Sequence, residues 1–463
     1  MPKKSGLIMM SALASYRTSL RLTNTQYNSI SRLCQLDGGK ITMSAWIAQA
    51  INERIQRDIE RANTRLKYTR QSERCFYEFF AGGGMARAGL GAQWDCLFAN
   101  DFSPMKGHAY RSNWSGGTDL LVEDINNITS AQLPAQADLV WASFPCQDLS
   151  LAGVYKGIGS EDDHNQTRSG TFWPFWRLMR NLMDERRALQ IIVLENVYGI
   201  MTSNKGKDFT SIGAVLSDAG YRFGAMVIDA QHFVPQSRSR VFIVAVHPSA
   251  KLPQHLISPT PISQWHPERM VTAFNGLSKK AQQSWLWWNL PLPEERLTTF
   301  SDIIDENPEG VKWDSAEKTR QLLAMMTPVN LLKVQSAQKS GKRIVGGLYK
   351  RTRMNDNGEK VQRAEVRFDG IAGCLRTPAG GSSRQSILVV EGDKISSRLL
   401  SPREAARLMG LPDTYKLPHN YNDAYHIAGD GVVVPVVRHL ARFIFEPVLT
   451  ESYNAVSAQK KVA

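Results

Sequence analysis

Short apolar runs and helical patterns alternate along the chain from residue 75 onwards. Apolar runs of strand length recur at 75–81, 95–99, 139–144, 191–194, 221–228 and 241–246. Apolar residues at helical spacing fill the stretches 172–189 and 209–219 between them. This alternation predicts an α/β fold, with a mostly parallel sheet covered by helices on both faces. Because ligands bind such sheets at the carboxyl ends of the strands, we expect functional residues there.

The pattern changes at about residue 248, where prolines, tryptophans and irregular stretches begin and continue to about 396. A helical pattern returns at 401–409. A sheet interrupted in this way predicts a catalytic domain over 75–247 that resumes at 397–450. A second, irregular recognition domain would be inserted over 248–396. Residues 451–463 are interpreted as a tail.

The first 60 residues follow a different pattern. Residues 19–23 alternate polar and apolar side chains, as a short strand does. Two helical stripes follow on either side of a double glycine, and the second begins after Ser44, a residue type that caps helices. The pattern over residues 15–60 therefore predicts a small module made of a strand, a helix, a turn and a second helix.

This module resembles a ribbon-helix-helix domain. That family dimerises through paired strands and places the paired ribbon in the major groove of DNA. The resemblance implies that Arg21 points outward to DNA and that the protein can form a homodimer. The alternative is a helical hairpin that only packs on the catalytic domain.

The charge distribution favours a polyanionic partner. The 463 residues, a length typical of two or three domains, carry a net charge of +13. Residues 1–75 hold thirteen Lys/Arg against five Asp/Glu, and residues 318–355 hold nine against none. Such blocks are the expected footprint of phosphate contacts, although basic proteins without nucleic-acid function are common. Residues 61–74 are polar and basic and are interpreted as a linker.

Several classes of protein are disfavoured. No apolar run reaches the ~18 residues of a membrane span. The first residues lack a small-residue cleavage site, so we expect no secretory signal. The five cysteines are scattered and form no Cys-x-x-Cys pair. They argue against a disulfide framework or a zinc site and favour a reducing cytoplasm.

A glycine-rich loop ends the first predicted strand. The residues Phe79-Phe80-Ala81-Gly82-Gly83-Gly84 close the strand and open a helical pattern, and glycines there let the backbone approach a cofactor. Asp101 ends the next strand, and an acid about 20 residues after such a loop commonly holds ribose hydroxyls. The pair suggests a nucleoside-type cofactor, although tight turns and strand-end acids are common.

Three further strand ends carry reactive or charged residues. Cys146 follows the third strand, where a cysteine can be a thiolate nucleophile; the alternative is a buried structural cysteine. Glu195 ends the fourth strand, where a carboxylate either acts on a substrate or caps a helix. Gln236, Arg238 and Arg240 precede the last strand and place two arginines on one face, unless this is only a solvated edge.

The order of these elements resembles the DNA cytosine-5 methyltransferase family over residues 75–247 and 397–446. The segments that carry the resemblance are Phe80-Ala81-Gly82-Gly83-Gly84, Asp101, Glu123-Asp124-Ile125, Pro145-Cys146-Gln147-Asp148-Leu149-Ser150, Glu195-Asn196-Val197, Gln236-x-Arg238-x-Arg240, Leu400 to Pro412 and Gly429 to Pro435. So many segments in one order are a specific signal. Two positions depart from the family: Ala142-Ser143-Phe144 precedes Pro145, in place of glycines and a proline, and Asp430 stands where asparagine is usual.

The resemblance implies a fold, a cofactor and a mechanism. The fold would be a Rossmann-like methyltransferase sheet, and the catalytic residues would be Cys146, Glu195, Arg238 and Arg240. Cys146 would attack carbon-6 of cytosine, Glu195 would bond the ring nitrogen-3 and amino group, and the arginines would orient the base and Glu195. S-adenosylmethionine would be held by Phe80, Ala81, Gly82, Gly84, Asp101, Asp124, Ile125, Pro145, Asp430 and Val432. No metal is required.

Double-stranded DNA is the implied partner, and the target base must be flipped because its carbon-5 is inaccessible inside a duplex. We expect DNA contacts from Gln147, Ser150, Gln236, Arg21, Lys342, Arg343, Arg351, Arg353, Arg376 and Arg384. Residues 248–396 would read the sequence, unless this lobe contacts only phosphates. The resemblance further implies a restriction-modification role in the cytoplasm, in a bacterial or phage-encoded, nucleoid-associated protein.

Three rival functions remain. Amino methyltransferases carry an Asp/Asn-Pro-Pro-aromatic loop, whereas Pro-Cys-Gln stands in its place here. Related tRNA methyltransferases have a compact region where this chain has residues 248–396. A regulator that has lost catalysis is the third alternative, and intact Cys146, Glu195 and Arg238 argue against it.

Overall fold

The computed structural model describes residues 24–36, 42–48, 50–51, 74–114, 117–145, 169–354, 357–375 and 384–462. They belong to two compact units, residues 1–67 and 68–463. In the first unit, helix α1 spans Asn24–Leu36 and helix α2 covers 43–48 and 50–51. Both agree with the predicted helical stripes, whereas the strand predicted at 19–23 and its Arg21 lie outside the described residues.

A seven-stranded sheet forms the centre of the second unit. Its strands are β1 (Arg74–Phe79), β2 (Trp94–Asp101), β3 (Leu120–Val122), β4 (Leu139–Ala142), β5 (Ile191–Val197), β6 (Arg222–Asp229) and β7 (Ser239–Val246). Their order is β3-β2-β1-β4-β5-β7-β6, and all pairs are parallel except those made by β7. The mostly parallel sheet is confirmed, and β3 is a three-residue edge strand too short to be predicted.

Helices cover the sheet on both faces. They are α3 (Met85–Leu90), α4 (Pro104–Asn113), α5 (Phe172–Asp184), α6 (Lys207–Asp218), α12 (Pro402–Leu408), α13 (Tyr421–Asp430), α14 (Val434–Leu440) and α15 (Glu446–Val462). Side chains of β4 alternate between two cores: Leu139 and Trp141 pack with α3 and α14, whereas Val140 and Ala142 pack with α5 and α6. The predicted tail after 450 is helical through Val462. No helix among the described residues is long and apolar enough to cross a membrane.

The inserted region contains more regular structure than its sequence indicates. It begins with short elements, β8 (Ile257–Ser258), α7 (Glu268–Asn275), α8 (Lys279–Gln283), β9 (Trp287–Trp288), α9 (Phe300–Ile303), α10 (Ala316–Ala324) and α11 (Pro328–Lys339). An antiparallel sheet follows, formed by β10 (Arg343–Met354), β11 (Lys360–Arg367), β12 (Ser386–Glu391) and β13 (Lys394–Leu399) in the order β11-β10-β12-β13. The prediction missed it because Gly346-Gly347 interrupts the apolar pattern of β10; a Cβ at Gly346 would collide with Phe368.

A buried ion pair near the start of the returning catalytic segment binds the insert at Asp305. Arg398 on β13 and Glu404 on α12 are both fully buried, and their guanidinium and carboxylate groups meet at 2.6 and 2.8 Å. Glu404 also accepts from the backbone N–H groups of Asp305 and Ser401. Arg398 donates to the Asp305 carbonyl and lies 4.7 Å from the ring of Trp313. The pair therefore links β13, α12 and the insert segment at Asp305.

We expect Arg398→Met to lower the free energy of unfolding by about 3–5 kcal/mol, because Glu404 would remain buried without its partner. Urea titration measures this difference. Arg320→Met is the matched control, since Arg320 pairs with Glu317 on an exposed helix face and should cost less than about 1 kcal/mol. Adding Glu404→Leu should recover only part of the loss, because it removes the unpaired charge but also the acceptor of the Asp305 and Ser401 N–H groups. Equal stability of Arg398→Met and the control would contradict a role for the buried pair.

Candidate active site

The glycine-rich loop after β1 is shaped by three residues in left-handed backbone conformation. Phe80, Gly82 and Gly84 have φ values of 57°, 56° and 78°. A Cβ added at Gly82 would meet no described atom within 4 Å, so this part of the loop is open on one side. The topological switch point of the sheet lies between β1 and β4, where ligands of such folds bind.

Two aromatic residues close the loop from behind. The Tyr415 hydroxyl and the Trp114 indole both donate to the Gly83 carbonyl, at 2.7 and 3.1 Å. Burial raises the pKa of Tyr415, so its hydroxyl stays protonated and can donate. A Cβ at Gly83 would overlap Tyr415, and one at Gly84 would overlap Trp114. Glycine is therefore needed at both positions for packing, independently of any ligand. The sequence did not reveal this role of Tyr415 or Trp114, because neither residue belongs to a recognised motif or lies next to the loop in the chain.

Asp101 is fixed at the end of β2. It is 4% exposed, and its two carboxylate oxygens accept from the N–H groups of Gly82 and Ser103, each at 2.9 Å. The carboxylate thus joins the glycine loop to the start of α4 and retains lone pairs for a further donor. The next residue, Phe102, is 69% exposed. An exposed aromatic ring beside a strand-end acid is a signal that the sequence contained and that the prediction overlooked.

The other predicted cofactor residues lie at neighbouring strand and helix ends. Asp124 caps the short 3-10 helix Ile125–Asn127, where Ile125 is buried. Asp430 ends α13 and pairs with Lys106 of α4, with 2.9 Å between Nζ and Oδ2. Val432 is buried beyond it. Ala81 is buried, and Pro145, half-buried, is the last described residue before the Cys146 segment. Lys106 is a further charged residue here that sequence reasoning missed.

Glu195 and Arg240 form a shielded ion pair at the carboxyl end of β5. The Glu195 carboxylate and the Arg240 Nε are 3.3 Å apart, and their side chains are 9% and 16% exposed. Pairing of β5 with β7 brings Arg240 beside Val197, two residues from Glu195. A carboxylate that is oriented by one arginine and largely shielded from solvent can accept hydrogen bonds from a planar polar ring.

The predicted nucleophile Cys146 lies outside the described residues, as do Gln147 and Ser150. The chain that leads to it is described. Asn196 donates from its side-chain amide to the Phe144 carbonyl at 3.1 Å, which ties the end of β5 to the segment before Cys146. This bond fixes the residue next to Glu195 and the residue two positions before Cys146 relative to each other.

Two predicted site residues have a different place from the one expected. Gln236, predicted to contact DNA, is fully buried and bonds the Leu408 carbonyl and the Leu375 N–H, so we withdraw it as a DNA ligand. Arg238, predicted to orient Glu195, is 4% exposed. Its guanidinium donates to backbone carbonyls of Leu375, Gly429 and Gly431. We therefore revise Arg238 from a catalytic to a positioning residue, which joins the insert to the last motif.

The predicted DNA ligands of the insert are spread over its sheet. Lys342 and Arg343 lie at one end of β10, and Arg351 and Arg353 near the other, roughly 30 Å away at the rise of an extended strand. Arg384 packs 5.3 Å from the Tyr421 ring and donates to Asn422. Arg376 lies outside the described residues.

A buried carboxyl group lies directly beneath the cofactor loop. Glu78 on β1 is 2% exposed, and its Oε2 has no partner among the described residues. Burial raises the pKa of Glu78 to about 8, against the lowering effect of Arg87 and of backbone N–H groups of α3. Between these two pKa values, about 4.5 unfolded and about 8 folded, the carboxyl is protonated in the folded state and ionised in the unfolded state. The free energy of unfolding therefore falls as the pH rises from about 4.5 to about 8.

We expect Glu78→Gln to remove this pH dependence. The stability of the variant relative to the wild type should grow between pH 5 and 8, by up to about 1.4 kcal/mol per pH unit, the value for one proton. Urea unfolding at several pH values measures it. Glu317→Gln, at an exposed helix position, is the control and should show no such trend. Parallel pH curves for wild type and Glu78→Gln would contradict the prediction.

Among the described residues, no group of three or more His, Cys, Asp or Glu side chains could hold a metal ion. The site thus combines a glycine loop, strand-end acids and a buried Glu–Arg pair on a doubly covered α/β sheet. These features are typical of α/β enzymes that bind a nucleoside-type cofactor.

Comparison with known proteins identifies the family. A family model described as C-5 cytosine-specific DNA methylase matches residues 75–446. The chain therefore belongs to this family and is an enzyme of the C-5 cytosine-specific DNA methyltransferase class, a class that uses S-adenosylmethionine. The predicted family resemblance is confirmed.

Individual relatives are more distant. The chain is 28% identical to Type II methyltransferase M.HpaII of Haemophilus parainfluenzae over 406 residues, covering 83% of this chain and 91% of the relative. It is 24% identical to Type II methyltransferase M.HhaI of Haemophilus parahaemolyticus over 375 residues, covering 79% and 92%. The solved S. pombe Dnmt2 methyltransferase is 17% identical and covers 81% of this chain and 99% of its own, with a TM-score of 0.47.

Proposed function

We propose that this protein methylates carbon-5 of a cytosine within a specific double-stranded DNA sequence, through a transient covalent bond to Cys146. The observation that carries the proposal is the shielded Glu195–Arg240 pair, tied through Asn196 to the segment that leads to Cys146. Membership of the family supports the reaction type. The Type II names of the relatives support a protective role in a restriction-modification system inside the cell.

The residues at the switch point fit S-adenosylmethionine, which would supply an electrophilic methyl group. The open side of Gly82 leaves room for a ligand against the loop backbone. Asp101 is oriented by two N–H donors and has acceptor capacity left for ribose hydroxyls. Phe102 offers an exposed ring face on which an adenine can stack. Asp124 and Ile125 follow the adjacent edge strand, where they would contact the adenine edge.

The protein side of the reaction follows from the residue types. The Cys146 thiolate would form a bond to carbon-6 of the flipped cytosine, which raises electron density at carbon-5. Glu195 would bond nitrogen-3 and the amino group and so stabilise the charge that develops in the ring. Carbon-5 would then take the methyl group, with S-adenosylhomocysteine as the leaving group. Loss of the carbon-5 proton to a base would re-form the ring double bond and release the Cys146 thiolate from carbon-6. Arg240 keeps Glu195 in place throughout.

The test is methyl transfer to three substrates: duplex DNA, the same DNA as single strands, and tRNA. We expect incorporation into duplex DNA with 5-methylcytosine as the product. N4-methylcytosine would instead indicate an amino methyltransferase, and preference for tRNA would indicate the RNA-modifying relatives. Absence of transfer to any substrate, with DNA binding retained, would indicate a regulator without catalysis. Bisulfite sequencing of host DNA would then identify the methylated sequence.

We further propose the domain limits predicted from the sequence, with catalytic segments at 75–247 and 397–450 and a recognition domain at 248–396. The antiparallel sheet of the insert, β10 to β13, supports a separate lobe, because one of its faces has its own helix-covered core formed with α10 and α11. The described contacts of Arg398 and Arg238 support tight coupling of this lobe to the catalytic segments.

A second function is proposed for residues 15–60, namely dimerisation and binding to a separate DNA site near the protein's own promoter. Two large apolar side chains on its helices, Tyr27 and Ile51, are 53% and 48% exposed, and a second copy would cover such surface. Sedimentation of the full chain and of a chain lacking residues 1–67 tests this. We expect dimers of the first, monomers of the second, and a palindromic footprint only with the first. If the two chains sediment equally, residues 15–60 do not dimerise, and only a role as a non-specific DNA tether would remain.

A further inference from the structure

The insert carries a two-stranded extension that reaches beyond its sheet. Strand β10 makes its last pair with β12 at Leu348, yet continues paired with β11 alone as far as Met354. We call residues 349–354 and 360–365 the ribbon. Residues 350–354 and 357–360 are all exposed. A two-stranded ribbon of this kind fits the width of the major groove of DNA.

One face of the ribbon carries three arginines. Arg351 lies directly opposite Arg363, and Arg353 follows two residues along the same face. Like charges directly opposite each other destabilise a strand pair. Glu365 offsets part of this repulsion, and the phosphates of a polyanion would offset more of it. We call Arg351, Arg353 and Arg363 the arginine face.

The arginine face lies on the side of the sheet that packs on the catalytic core. Side chains on the opposite side, such as Leu348 and Val366, pack under α10 and α11. On the arginine-face side, Val345 belongs to the core shared with the catalytic sheet. Tyr349, at the base of the ribbon on this same side, accepts a hydrogen bond from the Gly373 N–H. Two residues on, the Leu375 carbonyl accepts from Arg238. The arginines therefore extend from the catalytic side of the lobe.

Glu365 holds two of these arginines in fixed orientations. Its Oε1 accepts from Arg353 at 2.6 Å, and its Oε2 lies 3.2 Å from the Nε of Arg351. Both arginine side chains remain about half exposed, at 50% and 52%. A guanidinium that is oriented by a carboxylate and still exposed loses less side-chain entropy when it binds a planar acceptor pair.

We propose that the ribbon enters the major groove beside the target cytosine and that its arginine face reads guanine. Guanine presents two acceptors in that groove, N7 and O6, which match the fork of an arginine. This inference rests on the proposed function and adds to it the reading element and the base it recognises. Lysine carries the same charge without the fork, so exchange to lysine separates base reading from phosphate attraction.

The experiment compares Arg351→Lys, Arg353→Lys and Arg363→Lys with the wild type on duplexes containing the site found by bisulfite sequencing. A parallel duplex series replaces each guanine in turn by 7-deazaguanine, which lacks the N7 acceptor. We expect at least one variant to lose about 10- to 100-fold in kcat/KM on the unmodified site. The kcat/KM of the wild type should fall by a similar factor when one particular guanine is replaced by 7-deazaguanine. The same replacement should hardly lower the already reduced kcat/KM of that variant.

The matched control is Arg320→Lys, on the helix that covers the opposite side of the same sheet, where Arg320 pairs with Glu317 at 2.7 Å. If all three ribbon variants behave like this control, the inference is wrong. If they weaken every duplex equally and only reduce the salt dependence of binding, the ribbon contacts phosphates and the guanine assignment is wrong. A wild-type protein that methylates no duplex would instead overturn the proposed function itself.

Discussion

Cys146→Ser is expected to abolish methyl transfer while cofactor affinity stays near the wild-type value. A serine hydroxyl is almost entirely protonated at neutral pH, whereas a thiol yields a reactive thiolate. Without the bond from residue 146 to carbon-6, carbon-5 of cytosine remains too electron-poor to take a methyl group. Transfer of labelled methyl groups to duplex DNA measures the loss, and equilibrium dialysis with S-adenosylmethionine measures the affinity.

Two further measurements make this result specific. A duplex with fluorine in place of hydrogen at carbon-5 of the target cannot lose a proton there, so a covalent complex should accumulate with the wild type and not with Cys146→Ser. Cys34→Ser, in the separate N-terminal unit, is the matched control and should transfer methyl groups normally. Near wild-type transfer by Cys146→Ser would refute the covalent route.

The parts of the fold that could be predicted are those with a local sequence signal. The six predicted strands of the catalytic sheet are present, because each is a buried run bounded by polar residues. The strand-end positions of Glu195 and Asp101 could be predicted for the same reason, because each lies at the end of such a run and parallel strands bring their carboxyl ends to one edge. The antiparallel sheet of the insert has no comparable signal, because its longest strand contains a glycine pair and ends in exposed cations.

The roles of Gln236 and Arg238 could not be predicted, because they depend on contacts between segments far apart in the chain. Arg238 donates to carbonyls 137 to 193 residues away, and the sequence near it contains no trace of those partners. Residue type alone suggested a charged group at the substrate, whereas the guanidinium binds three backbone carbonyls in two segments, at Leu375 and at Gly429 and Gly431. Motif membership therefore did not indicate what each side chain contacts.

Glu195→Gln is expected to lower kcat by about two to three orders of magnitude, the usual cost of removing a charged group that stabilises developing charge. The amide keeps the shape of the carboxylate but lacks its negative charge, so it cannot stabilise the positive charge of nitrogen-3 when that atom is protonated in the adduct. Because this charge is absent from the bound ground state, KM for DNA should change little. Arg240 lies 3.3 Å from the carboxylate, and its contribution should depend on that charge. Arg240→Met should therefore reduce kcat strongly in the wild type and only weakly in Glu195→Gln, as expected for residues that act as a unit. Single-turnover methyl transfer by the two single variants and the double variant measures this coupling. A rise in KM without loss of kcat, or fully additive effects, would show that Glu195 binds DNA without taking part in the chemical step.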